Sequence, residues 1–383
     1  MKTIMFTGGG TGGHIYPGLA IADALREHFA DINIVWIGSL SKRDKRMVLS
    51  HTDSEGKPSC NRFIGIPSGK LRRYFSLKNF IDVFKIAFGF MASVCILLKV
   101  KPVLLFSKGG FVSVPPCAAA RLLRIKVYTH ECDMSPGLAT RLNARFAKKV
   151  LLSYAESKRF FSETMQKKLI VAGNPVREIF LRADSKIGYD FLKLNSPLQK
   201  PLLLILGGSS GAHQINTLVF EHIDTFTTRF TVVHQTGEGA DYIQACEIQQ
   251  SLSDNKDKIY LPFDFIYAQM PHVLASADII FSRAGANSLW ESAVLQKPML
   301  LLPLEGSGTR GDQVENADFF AKQGCAIVLR SSEKSPEKFL QSLNEALEIM
   351  SNESRRKEYA NASKNSIRND SAKNIASLLY NEL

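Results

Sequence analysis

The sequence predicts an α/β protein made of two doubly wound parallel sheets in succession, each covered by helices. Three observations carry that prediction. Short apolar runs bounded by turn residues recur along all 383 residues and alternate with longer helical patterns, as strands buried on both faces of a parallel sheet require. A run near the N-terminus and one just past the midpoint lead straight into glycine-rich turns, at residues 8–13 and 207–211. The length suits two domains of about 100 to 200 residues each, and 45% hydrophobic residues provide for a core in both.

In the first half the strand runs fall at residues 3–7, 33–37, 62–66, 103–106, 126–129, 149–153 and 169–172. In the second they fall at 202–206, 230–234, 258–261, 278–281, 298–302 and 325–329. Each is short and dominated by Val, Ile, Leu and Phe, and the gaps leave room for the crossover helices that parallel pairing needs. Gly173, Asn174 and Pro175 form a turn-prone stretch where one sheet hands over to the next. The expected domains are therefore 1–174 and 175–361. The helical segment after Glu353 has no following strand, and its last part, about 362–383, is expected to pack back on the first domain. Open sheets bind ligands at the carboxyl ends of their strands, so two domains facing a cleft are expected to bring two substrates together.

Composition removes several classes. The longest apolar run, residues 86–98, is flanked by Lys85 and Lys99 and falls short of the ~20 residues of a spanning helix. Before the first glycines only Ile4, Met5 and Phe6 are apolar, too few for a signal peptide, so a cytoplasmic protein is expected. The six cysteines (Cys60, Cys95, Cys117, Cys132, Cys246 and Cys325) include no C-x-x-C pair, which predicts reduced thiols rather than a zinc knuckle or disulfide framework. No two Asp residues stand two apart, so no Asp-x-Asp metal site is expected, and no cofactor. Charge is uneven. Residues 1–184 carry 29 Lys and Arg against 13 Asp and Glu, whereas 185–383 carry 19 against 23. The basic half suits an anionic partner: nucleic acid, a lipid headgroup layer or a phosphorylated substrate.

The motifs narrow that choice. Gly8, Gly9, Gly10, Thr11, Gly12, Gly13 and His14 follow the first strand and open a helix at Pro17, a setting in which backbone N–H groups receive a diphosphate. Gly8, Gly10 and Gly13 also satisfy G-x-G-x-x-G, but the second strand ends in Gly38, Ser39 and Leu40 with no acidic residue for a ribose, which argues against a dinucleotide oxidoreductase. His14 is a candidate proton acceptor or phosphate donor; the plainer reading is a helix cap. Lys108, Gly109, Gly110 and Phe111 follow the fourth run, and His130, Glu131, Cys132 and Asp133 the fifth. Glu131 is a candidate general base, or else it only orients His14 or caps a helix. In the second half Gly207, Gly208, Ser209, Ser210 and Gly211 form another phosphate-type turn. From Arg283 through Gly285 to Glu291 small residues open a helix whose start suits a diphosphate, with Glu291 one turn in for the two hydroxyls of a ribose. Arg177 and Arg283 add fixed positive charge.

On these residues the sequence resembles the MurG family of bacterial glycosyltransferases, over essentially the whole chain. Residues 9–14 are similar to the family's signature loop, 173–177 to its Gly-Asn-Pro-Val-Arg hinge and 207–212 to its second glycine loop. Residues 283–291 are similar to the start of its nucleotide-binding helix, and Asp312, Gln313, Asn316 and Ala317 to its sugar-contacting segment. The resemblance implies a glycosyltransferase B fold of two Rossmann-like domains, the first for a lipid-linked muramoyl-pentapeptide and the second mainly for UDP-GlcNAc. It further implies that Arg177 and Ser209 contact the diphosphate, Ile266 and Arg283 the uracil, and Glu291 the ribose. Ala286, Asn287, Ser288, the adjoining Leu289 and Gln313 are implied at the sugar, with Thr11, Gly12, Gly13 and Asp133 closing from the other domain. Gly9, Gly10, Gly109, Gly110 and Phe111 are implied on the acceptor side. The implied reaction is inverting and metal-independent, with His14 or Glu131 as base, at the cytoplasmic face of the inner membrane.

Three departures stand out. The family's His-Glu-Gln-Asn reads His130, Glu131, Cys132, Asp133 here, a frequent Tyr is Phe111, and the usual Gln of the second glycine loop is Ser210. A membrane-facing surface is expected around Lys70, Leu71, Arg72, Arg73, Tyr74, Phe75, Lys78, Phe80, Phe84 and Phe88, which mix basic with bulky apolar residues as an interfacial surface requires; the alternative places Phe84 and Phe88 in the core. The rival functions are a UDP-GlcNAc 2-epimerase, a diacylglycerol glycosyltransferase and a nucleic-acid-binding protein. The last leaves the glycine turns and Glu291 without a role, so no nucleic-acid partner is expected.

Overall fold

The computed structural model describes residues 2–29, 31–53, 55–69, 77–207, 212–306, 309–332 and 335–383, except for the side chains of 77–79. The chain divides into two compact units, Met1–Glu178 with Asn369–Leu383, and Ile179–Arg368. In the first, strands β1 (Lys2–Thr7), β2 (Ile32–Ser39), β3 (Arg62–Ile66), β4 (Leu104–Ser107), β5 (Lys126–Glu131), β6 (Lys149–Leu152) and β7 (Leu169–Val171) pair in the order β3-β2-β1-β4-β5-β6-β7. In the second, β8 (Leu202–Leu206), β9 (Thr231–Gln235), β10 (Tyr260–Phe263), β11 (Ile279–Ser282), β12 (Met299–Leu301) and β13 (Ala326–Val328) pair as β10-β9-β8-β11-β12-β13. Every pairing is parallel. Each predicted run is a strand, and β5 continues through His130 and Glu131.

Burial explains the runs. One face of the first sheet stacks Phe6 on Trp36 and Phe106, with ring centroids 5.7 and 5.3 Å apart, beneath the helices Gly12–His28 and Ser371–Tyr380. The C-terminal segment is fastened there. Phe29 and Tyr380 stack with centroids 3.4 Å apart, and the Glu382 carboxylate takes Lys126 and Lys148, each at 2.9 Å. The other face buries Met5, Ile37, Leu105, Val127 and Val150. In the second unit Ile205, Phe226, Phe281 and Leu300 form the corresponding core.

Both sheets reverse strand order beside their first strand, at β1/β4 and at β8/β11. The loops leaving those paired strands therefore emerge side by side at the carboxyl ends, where open sheets bind ligands. The helix Gly12–His28 starts earlier than Pro17 suggests. Pro17 lies in its second turn, where its lack of an N–H removes one helical bond.

The apolar run after residue 76 also extends further than its flanking lysines imply. The helix Leu77–Val100 includes a 21-residue stretch, Phe80–Val100, long and apolar enough to cross a membrane by length and composition. Its inner face is docked on its own unit: Ser93 and Leu97 are buried, and Gly89 approaches so closely that a Cβ there would lie 2.3 Å from the Pro67 carbonyl oxygen. Its outer face carries Phe80, Phe84, Phe88, Met91 and Leu98, each more than half exposed. Phe84 and Phe88 are thus outside the core. Residues 70–76 of the expected basic surface lie outside the described residues.

Candidate active site

In the first unit two loops meet around one imidazole. After β1, Trp36 Nε1 donates to the Gly8 carbonyl at 3.0 Å. The Gly10 N–H donates to Asp44 Oδ2 at 2.9 Å, and the Ser39 hydroxyl donates to the same oxygen at 2.6 Å. A Cβ at Gly9 would sit 2.5 Å from that oxygen, and one at Gly10, whose φ is +86°, would sit 2.6 Å from the Phe111 ring. Only glycine fits there. Thr11 caps the helix without a side-chain bond, and its carbonyl accepts the His14 N–H at 3.2 Å. The His14 ring lies against the second loop: a Cβ at Gly110 would come within 2.9 Å of its Cδ2, and one at Gly109 within 3.8 Å of its Nδ1. Gly9, Gly10, Gly12, Gly13, His14, Gly109, Gly110 and Phe111 are therefore brought together, as the motifs require.

Glu131 has a different setting. It is buried at the end of β5, where one carboxylate oxygen accepts the N–H groups of Cys132 at 3.0 Å and Asp133 at 3.1 Å, and the other that of Gly137 at 3.0 Å. Both oxygens are engaged by the loop that follows. These bonds tie Glu131 to the loop and to Gly137 at the start of the helix Leu138–Phe146, and none of the three reaches His14. Glu131, Cys132 and Asp133 bring three potential metal-ligating atoms within 4.8 Å of one another, but Glu131 already uses its oxygens on backbone donors.

Arg177, at the end of the Gly-Asn-Pro-Val-Arg stretch, stacks over the Tyr16 ring at 4.4 Å. This cation–π contact fixes the guanidinium beside the first glycine turn, because Tyr16 also closes over Gly12, where a Cβ would meet its ring at 3.1 Å.

In the second unit Gly285 precedes the helix Ala286–Val294 with no side-chain cap. Ala286 and Leu289 are buried, so they offer a ligand only backbone, while Asn287, Ser288 and Glu291 lie half-buried at the start of the helix. Arg283 braces the site. Its Nη1 donates to the Leu302 carbonyl at 3.0 Å and its Nη2 to Gln214 Oε1 at 2.9 Å, and burial pulls its pKa down against the opposing charge of Glu305. Gln313 Oε1 accepts the Leu304 N–H at 3.0 Å, and Gln235 Oε1 accepts that of the buried Ile266 at 2.9 Å. Ser209 lies outside the described residues.

Sequence reasoning missed Asp44, Tyr16, Gln214 and Gln235. Asp44 does have a local signal, Ser41-x-x-Asp44, of the kind that starts a helix, but nothing in it points to Gly10.

Two doubly wound parallel sheets in one chain are the architecture of the two-domain glycosyltransferase B fold. Residues 4–152 match the glycosyltransferase family 28 N-terminal domain and residues 202–377 its C-terminal domain. A UDP-N-acetylglucosamine–N-acetylmuramyl-(pentapeptide) pyrophosphoryl-undecaprenol N-acetylglucosamine transferase of Treponema denticola is 50% identical over 348 residues, covering 90% of this chain and 88% of that one. The protein of the same name from Lachnoclostridium phytofermentans is 37% identical over 379 residues, covering 99% and 98%. Among solved structures, Acinetobacter baumannii MurG superimposes with a TM-score of 0.73 at 22% identity over the whole of both chains. The UDP-GlcNAc 2-epimerase of Methanocaldococcus jannaschii does so at 0.64 and 17%, again over both whole chains. These two structural likenesses concern the fold alone, which is the glycosyltransferase B fold. The chain belongs to glycosyltransferase family 28, in its MurG branch.

Proposed function

We propose that the protein is an inverting N-acetylglucosaminyltransferase of peptidoglycan synthesis, moving GlcNAc from UDP-GlcNAc to the 4-hydroxyl of a lipid-linked muramoyl-pentapeptide. The observation that carries this reading is the 50% identity to a transferase of that name across both domains; the epimerase likeness rests on fold alone. His14 is the base. Both carboxylate oxygens of Glu131 are taken by the N–H groups of Cys132, Asp133 and Gly137, whereas the His14 ring lies at the meeting of the two glycine loops. The acceptor oxygen attacks the anomeric carbon as its proton passes to the imidazole, and the bond to the UDP phosphate breaks with its electron pair on the leaving group. The amide ends of the helix Ala286–Val294 meet that charge. Glu291 takes the ribose, and Gln313 with Asn287 and Ser288 the sugar.

The acceptor is lipid-linked, and the exposed face of the helix Leu77–Val100 supports a peripheral seat on the cytoplasmic leaflet. Phe80, Phe84, Phe88, Met91 and Leu98 form one stripe, with Lys85 and Lys99 exposed beside it. Apolar rings at headgroup depth with cations above them are the requirement for interfacial binding. Phe84→Ser with Phe88→Ser should lower binding to anionic vesicles and leave turnover on a water-soluble acceptor unchanged; equal vesicle binding would remove this part of the reading.

The reaction is tested by UDP release from UDP-GlcNAc, in EDTA, with and without a short-chain muramoyl-pentapeptide diphospholipid. Release that requires the muramoyl lipid and survives EDTA is expected. Release without acceptor would favour an epimerase, and release only with diacylglycerol a glycolipid transferase.

A further inference from the structure

Lys108 is the residue immediately before the Gly109–Gly110 turn, and its side chain is 1% exposed. A buried ammonium is costly unless it is well paired. Among the described residues no carboxylate reaches it; its partner is an imidazole, with Nζ 2.9 Å from His130 Nδ1. On the far side of the ring His130 Nε2 lies 2.8 Å from the carbonyl oxygen of Gly173. A carbonyl only accepts, so Nε2 carries the proton, and Nδ1 is left as the acceptor for the ammonium. Burial first, and the Lys108 charge second, hold the His130 pKa well below the usual imidazole value. The ring therefore stays neutral, as its two bonds require.

The relay joins two places that matter to turnover. Gly109 and Gly110 have φ of +85° and +78°, a double left-handed turn that holds the His14 ring in place. Gly173, with φ of +76°, begins the stretch that carries Arg177 onto Tyr16. A lysine rather than an apolar residue at the base of that turn needs a reason, because a methionine would fill the space without a charge to bury. Only a donor reaches His130 Nδ1.

We propose that Lys108 and His130 are positioning residues for the transfer: a Lys–imidazole–carbonyl relay that locks the Gly109–Gly110 turn, which seats the His14 ring, to Gly173. This rests on the reading of His14 as base. Small misplacements of a catalytic group cost up to about 100-fold in rate, so Lys108→Met should lower kcat by roughly 10- to 100-fold and raise the KM for UDP-GlcNAc by less than that, because the relay reaches the donor contact Arg177 only through Gly173. His130→Leu should match it. His130→Gln should recover most of the rate, since an amide both accepts from Lys108 and donates to Gly173, whereas His130→Asn, too short to do both, should not.

The test has two arms. In the kinetic arm, the Lys108→Met/His130→Leu double variant should lose no more than either single variant, because both break one relay; losses that multiply, or a wild-type kcat in Lys108→Met, would overturn the proposal. In the second arm, amide hydrogen exchange in Lys108→Met should accelerate together over residues 107–111 and 171–175. Unchanged exchange at 171–175 would overturn the relay whatever the enzyme's substrate. A wild-type enzyme inactive on the muramoyl lipid, with coupled exchange intact, would instead overturn the functional reading. If Lys108→Met does not fold, equal rates for His130→Gln and His130→Asn would sink the proposal.

Discussion

The two domains prepare their glycine turns by opposite means. In the first, buried carboxylates accept from backbone N–H groups: Asp44 takes Gly10, and Glu131 takes Cys132, Asp133 and Gly137. In the second, the turn that opens the helix Ala286–Val294 is braced by side-chain donors to carbonyls, with Arg283 on Leu302 and Asn316 on Ala284. Bracing through carbonyls spends none of the turn's amides, which suits a site for a diphosphate. Bracing through carboxylates spends amides and fixes loop shape around a single imidazole. On the proposed reading, one domain binds charge and the other aims a base.

The largest expected effect tests the aiming side. His14→Ala should reduce kcat by about 10² to 10⁴-fold, remove the limb of the pH profile that belongs to the base, and leave UDP binding unchanged. Glu131→Gln is the counterpart. If it costs as much kcat as His14→Ala with an unaltered melting temperature, the clamp assignment of Glu131 breaks and the two sites are more alike than the geometry says.

On the binding side, Glu291→Ala removes a charged hydrogen-bonding group of the kind worth about 1.5 to 3 kcal/mol. The KM for UDP-GlcNAc should rise about tenfold or more with kcat little changed, read from initial rates at saturating acceptor. A loss confined to kcat would move Glu291 away from the ribose.

Asp44→Ala sharpens the comparison from the stability side. It leaves the Gly10 N–H and the Ser39 hydroxyl unpaired in a buried place, at a cost of about 1 to 3 kcal/mol, or roughly 2 to 12 °C in melting temperature. A variant as stable as the wild type would mean that the first glycine turn does not need its carboxylate.

The smallest effect lies away from both sites. Hydrogen bonds from Tyr128 and Lys148, with help from Lys126, bring the Glu382 pKa down to about 2, below the ~4.3 of an unfolded glutamate. A depressed carboxyl contributes stability above its unfolded pKa and loses it as pH falls toward the folded value. Glu382→Gln should therefore melt slightly lower than wild type at pH 7 and approach it between pH 4 and about 2. A gap that widens on acidification would contradict the assignment.

The strands were legible because apolar runs between turns are a local property, and the switch points followed from their order. The glycine turns were legible as well. What could not be read were the groups that hold them. Asp44 to Gly10, Tyr16 to Arg177 and Lys108 through His130 to Gly173 join residues far apart in sequence, and an Asp or a Lys looks the same there whether exposed or buried. Glu131 shows the limit most clearly: its type and place suit a base, and only its three backbone donors reveal a clamp. The helix Leu77–Val100 was underestimated because Lys85 interrupts the run, although in the helix its amine lies 3.4 Å from the Asp82 carboxylate one turn earlier and breaks nothing.

The most direct measurement is the structure of the product formed from ¹³C-labelled UDP-GlcNAc and the short-chain muramoyl-pentapeptide lipid, read by NMR. One GlcNAc in β linkage to the muramoyl 4-hydroxyl, formed by wild type and not by His14→Ala, is the predicted result. An α linkage, label on another acceptor, or free 2-epimerised sugar would contradict it.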